Sequence, residues 1–132
     1  MKYLIIGGVA GGATVAARLR RMDEQAEIIL FERGAYVSYA NCGLPYYIGD
    51  TITQRDNLFV QTALGFTARF NIDIRTQQEV VAIQLQGKTV LVKNLVTNET
   101  YSEVYDKLVL SPGAEPIRPR VDGISANRIF TL

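Results

Sequence analysis

Lys2-Tyr3-Leu4-Ile5-Ile6-Gly7-Gly8-Val9-Ala10-Gly11-Gly12-Ala13 opens a stretch that ends at Ile28-Ile29-Leu30-Phe31-Glu32, and its reading decides the fold. Lys2 to Ile6 is a short apolar run of β-formers, long enough for a buried strand. A glycine-rich turn follows. Ala13 to Met22 lacks Gly and Pro and is rich in Ala, Arg and Leu, which predicts a helix. Ile28 to Phe31 is a second apolar strand, closed by the acid Glu32. Strand, glycine loop, helix, strand and acid is the order of a dinucleotide-binding βαβ unit.

Each part of the loop has a physical reason. Gly7 allows a sharp exit from the first strand, and Gly12, without a Cβ, lets the helix lie close to it. The free N–H groups of the first helical turn, aided by the dipole, offer a place for a pyrophosphate. Glu32, at the carboxyl end of the second strand, is placed to accept from a ribose hydroxyl. In the pattern G-x-G-x-x-G the positions are Gly7, Val9 and Gly12, so valine stands at the middle one. The alternative is a glycine-rich turn in an ordinary α/β protein.

Length and composition set the frame. The chain has 132 residues, a one-domain length, and is 48% hydrophobic and 20% charged. A net charge of +1 gives no general case for nucleic acid. No apolar run approaches the roughly 18 residues of a membrane span. The first apolar run is too short for a secretory core, which leads to the expectation of a cytoplasmic protein without a membrane partner. One cysteine excludes an internal disulfide framework. With no histidine, a Ser–His or Cys–His pair cannot come from this chain, and a zinc site lacks its ligands, so no metal is expected.

Along the helix, Val15, Ala16, Leu19 and Met22 share a side suited to packing on a sheet. Thr14, Arg18 and Arg21 form a stripe on a different side. It reads either as a solvated face or as an anion-binding stripe for a phosphorylated substrate. Arg33 beyond the second strand could lie over an adenine, reach a phosphate, or be solvated. In Val37-Ser38-Tyr39-Ala40-Asn41-Cys42-Gly43-Leu44-Pro45-Tyr46-Tyr47-Ile48, Asn41 is expected to cap a short helix from Cys42 to Ile48. A cysteine in that first turn would favour thiolate; a buried apolar cysteine is the other reading.

Thr62 to Phe70 reads as a short helix and Ile72 to Arg75 as a strand. Glu79–Leu85, Thr89–Leu95 and Thr100–Tyr105 alternate apolar and polar, with turns at 86–88 and 97–99. That predicts a three-stranded antiparallel meander. Lys107 to Leu110 is a buried strand ending at Ser111-Pro112-Gly113-Ala114, and Pro116 and Pro119 bracket an extended loop. Asn127 to Leu132 looks like the opening of a strand, so the chain is expected to be a piece of a longer protein.

Three motifs now carry a resemblance across nearly the whole chain: Gly7–Gly12 through Glu32, Ser38–Tyr46, and Tyr105–Ala114. The chain resembles the N-terminal part of the flavin-dependent pyridine nucleotide–disulfide reductases. It is most similar to the single-cysteine branch of coenzyme A disulfide reductases, NADH oxidases and NADH peroxidases. The second motif is specific to that branch. Ser111-Pro112 in place of the usual Ala-Thr, and Val9 in the loop, also occur in the coenzyme A disulfide subgroup.

The resemblance implies an incomplete Rossmann-like FAD-binding domain over 1–132, an α/β parallel sheet with helices plus the meander at about 79–105. The nicotinamide-binding and dimerisation domains would lie beyond Leu132, the complete protein would be a homodimer, and the piece alone would be inactive. It further implies that Gly7, Gly8, Val9, Ala10, Gly11, Gly12, Glu32, Arg33, Asn41, Val80, Ser111, Pro112 and Gly113 bind FAD. Val80, before the meander, would offer backbone atoms to the adenine. Thr14, Arg18, Arg21, Ser38 and Asn41 would hold coenzyme A, with Cys42 as the catalytic thiol beside the flavin and NADH or NADPH as reductant. Phe70 stands where the family often has a basic residue, with Arg69 just before it.

The implied activity is reduction of coenzyme A disulfide, or a related disulfide or persulfide, through a mixed disulfide on Cys42. The rivals are an oxidase or peroxidase cycling Cys42 through sulfenic acid, and a non-catalytic nucleotide-binding domain with an inert cysteine.

Overall fold

Three strands with apolar side chains on both faces form the middle layer of the molecule. A computed structural model describes residues 1–131. Strands β1 (Lys2–Ile6), β2 (Glu27–Glu32), β3 (Asp73–Thr76) and β7 (Lys107–Leu110) make a four-stranded sheet in the order β3-β2-β1-β7. All its pairings are parallel, with Ile6 level with Phe31 and Leu110. The carboxyl ends therefore meet along one edge, where an open α/β sheet places its ligand crevice.

β2 explains the layering. Ile28 and Leu30 face one way and Ile29 and Phe31 the other, and all four are buried. Ile28 and Leu30 join Ile5, Ala16 and Phe66 beneath helices α1 (Ala10–Met22) and α3 (Ala63–Phe70). Ile29 and Phe31 join Leu4, Val90 and Val92 beneath the second sheet. Burying each such side chain contributes about 1.5–3 kcal/mol. This continuous burial is why β2 reads as an unbroken apolar run.

The second sheet is the antiparallel meander β4 (Gln78–Gln84), β5 (Thr89–Asn94) and β6 (Thr100–Val104). Its turns use the left-handed residues Lys88 (φ 44°) and Asn98 (φ 62°). Polar side chains also hold it to the parallel sheet. Glu103 accepts from Lys2 Nζ and Arg75 Nη1, both at 2.7 Å. Arg75 also pairs with Asp73 at 2.7 Å and donates to Tyr101 Oη at 3.0 Å, and that hydroxyl donates to Gln78. Burial alone would raise the Glu103 carboxyl, but the hydrogen bonds from Lys2 and Arg75 outweigh it and hold the group below its ordinary range.

Several expectations need correction. α1 begins at Ala10, three residues before the first residue expected, so Gly11 and Gly12 lie inside it. Met22 is 69% exposed, because the helix ends where it clears the sheet, while Val15, Ala16 and Leu19 do pack inward. Asn41 caps nothing: it begins a 3₁₀ turn, Asn41–Gly43, and the α-helix α2 starts only at Leu44 and ends at Ile48. Val80 lies within β4 and not before the meander. Residues 127–131 contain no strand, and Leu132 lies outside the described residues. No helix among the described residues is long and apolar enough to cross a membrane.

Candidate functional site

The glycine turn fixes one side of the site through backbone alone. Gly7 has φ 94°, and a Cβ there would lie 1.9 Å from the Ser111 carbonyl oxygen. A Cβ on buried Gly12 would lie 1.8 Å from the Gly7 oxygen. The loop, the start of α1 and the end of β7 therefore close on one another only with hydrogen at both positions. Val9, at the middle position, has φ −88°, which any L residue adopts. It precedes α1 without a side-chain cap, and the first turn carries no acid. The amino end of α1 thus keeps N–H groups that no capping side chain occupies.

Glu32 closes the other side. Its carboxylate accepts from Gly8 N and Gly34 N, each at 2.7 Å. Held by two backbone donors, it still has lone pairs to offer a hydroxyl. A crevice of about 280 Å³ runs over this edge, lined by Gly7, Val9, Ala10, Gly11, Glu32, Arg33, Asn41 and Ser111–Gly113, with Tyr39 and Ala114. A second, of about 170 Å³, continues between Glu32, Arg33 and Val80 and adds Gln78 and Glu79. Arg33 lies 3.8 Å from Glu79 and is largely exposed, so that pair is a weak one. Gly8 and Gly12 line neither crevice: one is hydrogen-bonded to Glu32 and the other is packed under the turn.

The thiol lies beside this edge. Ser38 N donates to Gly8 O at 2.9 Å, tying the cysteine segment to the glycine turn. Ala40 N donates to Leu58 O and Val60 N to Ser38 O, at 2.8 and 2.9 Å, which pins the segment from its other flank. Gly43 is buried against Leu58. Cys42 itself is free and exposed, which removes the reading of a core cysteine.

A cavity of about 610 Å³ has Cys42, Thr14, Ser38 and Asn41 on its wall. It shares Val9, Ala10, Tyr39 and Asn41 with the crevice over the glycine turn. Thr14, Ser38 and Asn41 thus share one wall with Cys42. Arg18 and Arg21 are exposed farther along α1 and line none of these spaces. Sequence reading missed Tyr39, Val60, Gln61 and Phe66 as walls; only Tyr39 stood inside a motif that could have flagged it.

A family model described as pyridine nucleotide-disulphide oxidoreductase matches residues 1–132. A coenzyme A disulfide reductase of Staphylococcus epidermidis is 45% identical over 130 residues, covering 98% of this chain and 27% of that protein. The chain thus spans about a quarter of the length of the curated relatives it matches. Among solved structures, reduced CoADR-RHD of Bacillus anthracis superimposes with a TM-score of 0.90 at 60% identity, over 93% of this chain and 22% of that one. A NAD-dependent persulfide reductase from A. fulgidus does so with a TM-score of 0.90 at 38% identity, over 96% and 24%.

Proposed function

The chain belongs to the pyridine nucleotide-disulphide oxidoreductase family, whose members use FAD and NAD(P)H, and from that premise we propose that the complete protein reduces coenzyme A disulfide, or a related CoA-linked disulfide or persulfide, at Cys42. The observation that carries this reading is the exposed thiol in a cavity that shares four wall residues with the crevice over the glycine turn.

The residues present suit a dinucleotide. Two glycines leave no room for a side chain beneath it, α1 offers uncapped N–H groups to a pyrophosphate, and Glu32 offers a carboxylate to the ribose. Val80 backbone and Arg33 would flank the adenine, and Ser111 to Gly113 would cover the phosphates from the β7 side. When bound, FAD supplies the passage of two electrons from NAD(P)H to a sulfur–sulfur bond.

Cys42 does the rest. Its thiolate attacks one sulfur of the substrate, the substrate's S–S bond breaks, and the departing CoA thiolate takes a proton. A mixed disulfide with the other CoA half remains on Cys42. Its two-electron reduction returns the thiolate and releases the second thiol. In balance, NAD(P)H, one proton and one disulfide give NAD(P)⁺ and two thiols. Thr14, Ser38 and Asn41 would position the substrate's pantetheine arm, with Arg18 and Arg21 outside the cavity to meet its charged end. A protein of the relatives' length would add nicotinamide-binding and dimerisation domains and act as a homodimer.

Cys42→Ser in the complete protein is expected to lower disulfide turnover about 10³-fold or more while the flavin absorbance stays. Turnover at the wild-type rate would end the proposal. The mass carried by Cys42 after reaction separates the related chemistries: a CoA adduct fits the disulfide, an added sulfur the persulfide, and an added oxygen the oxidase or peroxidase route.

A further inference from the structure

Four polar side chains stand on the wall of the second crevice, Glu32, Arg33, Gln78 and Glu79. Three of them are engaged with one another or with backbone. Glu32 accepts from two backbone N–H groups, and Arg33 pairs with Glu79. Gln78 is held differently. Its Oε1 accepts from the hydroxyl of Tyr101, which stands on β6, two strands away from β4 in the meander. Its Nε2 donates to no group among the described residues.

Arg75 sets the direction of that hydrogen bond. Its Nη1 donates to Tyr101 Oη at 3.0 Å and to Glu103 at 2.7 Å, while its other nitrogens hold Asp73. A guanidinium only donates, so the hydroxyl accepts from Arg75 and turns its own proton to Gln78. The guanidinium carbon also lies 5.8 Å from the centre of the Tyr101 ring and 5.5 Å from that of Phe31, a residue of the same crevice wall. With Oε1 drawn toward β6, the two N–H groups of the planar amide point away from β6.

We propose that Gln78 is a specificity-determining residue at the base end of the crevice, its amide N–H donating to a ring nitrogen of the purine, and that Tyr101 is the positioning residue that aims it. The inference rests on the dinucleotide reading above. Backbone atoms such as those of Val80 are the same whatever side chain stands there. An aimed side-chain donor adds discrimination, because a base without an acceptor at that place leaves the N–H unpaired. Without the Tyr101 hydroxyl the amide is free to turn over and present oxygen to the ring nitrogen instead.

The test titrates the complete protein, stripped of flavin, with FAD and with FMN, which lacks the base. Gln78→Met, close in length but without a donor, is expected to weaken FAD about five- to tenfold, the size of one net hydrogen bond, and to leave FMN as it was. Tyr101→Phe should weaken FAD by less. In the double variant it should add nothing to the Gln78→Met loss, because the hydroxyl acts through that amide. Unchanged FAD affinity in Gln78→Met, equal weakening of FAD and FMN, or losses that add in the double variant each overturn the proposal. A stripped wild type that binds FMN as tightly as FAD overturns the dinucleotide reading itself, and the role of Gln78 with it.

Discussion

The crevice over the glycine turn and the cavity around Cys42 lie side by side, yet they are built by different means. The crevice is a backbone construction. Its shape rests on two missing Cβ atoms, and replacing either hydrogen puts carbon within 1.9 Å of a carbonyl oxygen. The cavity is a side-chain construction, assembled from α1, the 38–42 segment and α3 around an exposed sulfur. The difference teaches where tolerance lies. A backbone cradle fails as a whole, whereas a side-chain wall is adjusted one residue at a time.

Substitutions can break or sharpen that contrast. Gly12→Val should have the largest effect. The new Cβ meets a backbone oxygen that cannot move without unseating α1 from β1, so a loss of about 3 kcal/mol or more is expected. The melting temperature and the flavin content of the purified complete protein would fall together. A Gly12→Val protein with wild-type melting and full flavin would show that the cradle is not a backbone construction.

Glu32→Ala comes next. It removes the acceptor of Gly8 N and Gly34 N as well as the proposed ribose contact. Flavin affinity, followed by titration of the stripped protein, should weaken about 10- to 100-fold, given about 1.5–3 kcal/mol for hydrogen bonds to a charged group. The rate of Cys42 labelling by a neutral reagent should stay as it was; parallel losses would mean that the two regions do not act separately.

The smallest effect concerns the ionic tie behind the crevice wall. Glu103 joins Lys2 of β1 and Arg75 of β3 to the meander that carries Val80. Its folded-state pKa is depressed by these partners, burial notwithstanding. The stability it adds is therefore complete above the unfolded carboxyl value of 4.5 and is lost as pH falls through the lower folded value. Glu103→Gln should cost about 1–3 kcal/mol at neutral pH and flatten the acid limb of the stability curve. Melting temperatures from pH 7 down to 3 would check this, and an unchanged acid limb would remove the tie from the account.

Legibility followed the same division. Gly7, Gly12, Glu32 and the two strands around them could be read in the chain because each obeys a local rule. A positive φ or a close approach demands glycine, and a strand buried on both faces needs an unbroken apolar run. The meander was legible for a related reason: alternation and its left-handed turn residues recur at short range. Asn41 misled, because a polar residue before Leu44-Pro45 looks like a cap, while the chain tightens into a 3₁₀ turn through Gly43 packed on Leu58. Helical spacing groups Arg18 and Arg21 with Thr14, but spacing does not say where along the helix a cavity ends, and of the three only Thr14 lines it.

By itself the sequence determined the βαβ core, the glycine turn, the acid that ends β2 and the existence of one thiol. These depend on backbone stereochemistry and on the side-chain period of single elements, which act over a few residues. The tertiary structure alone decided that Arg69 and not Arg18 or Arg21 reaches the wall near Cys42, and that Val9 and Asn41 belong to both spaces. Such a wall is the sum of segments far apart in the chain, and only their packing on a common sheet brings them face to face.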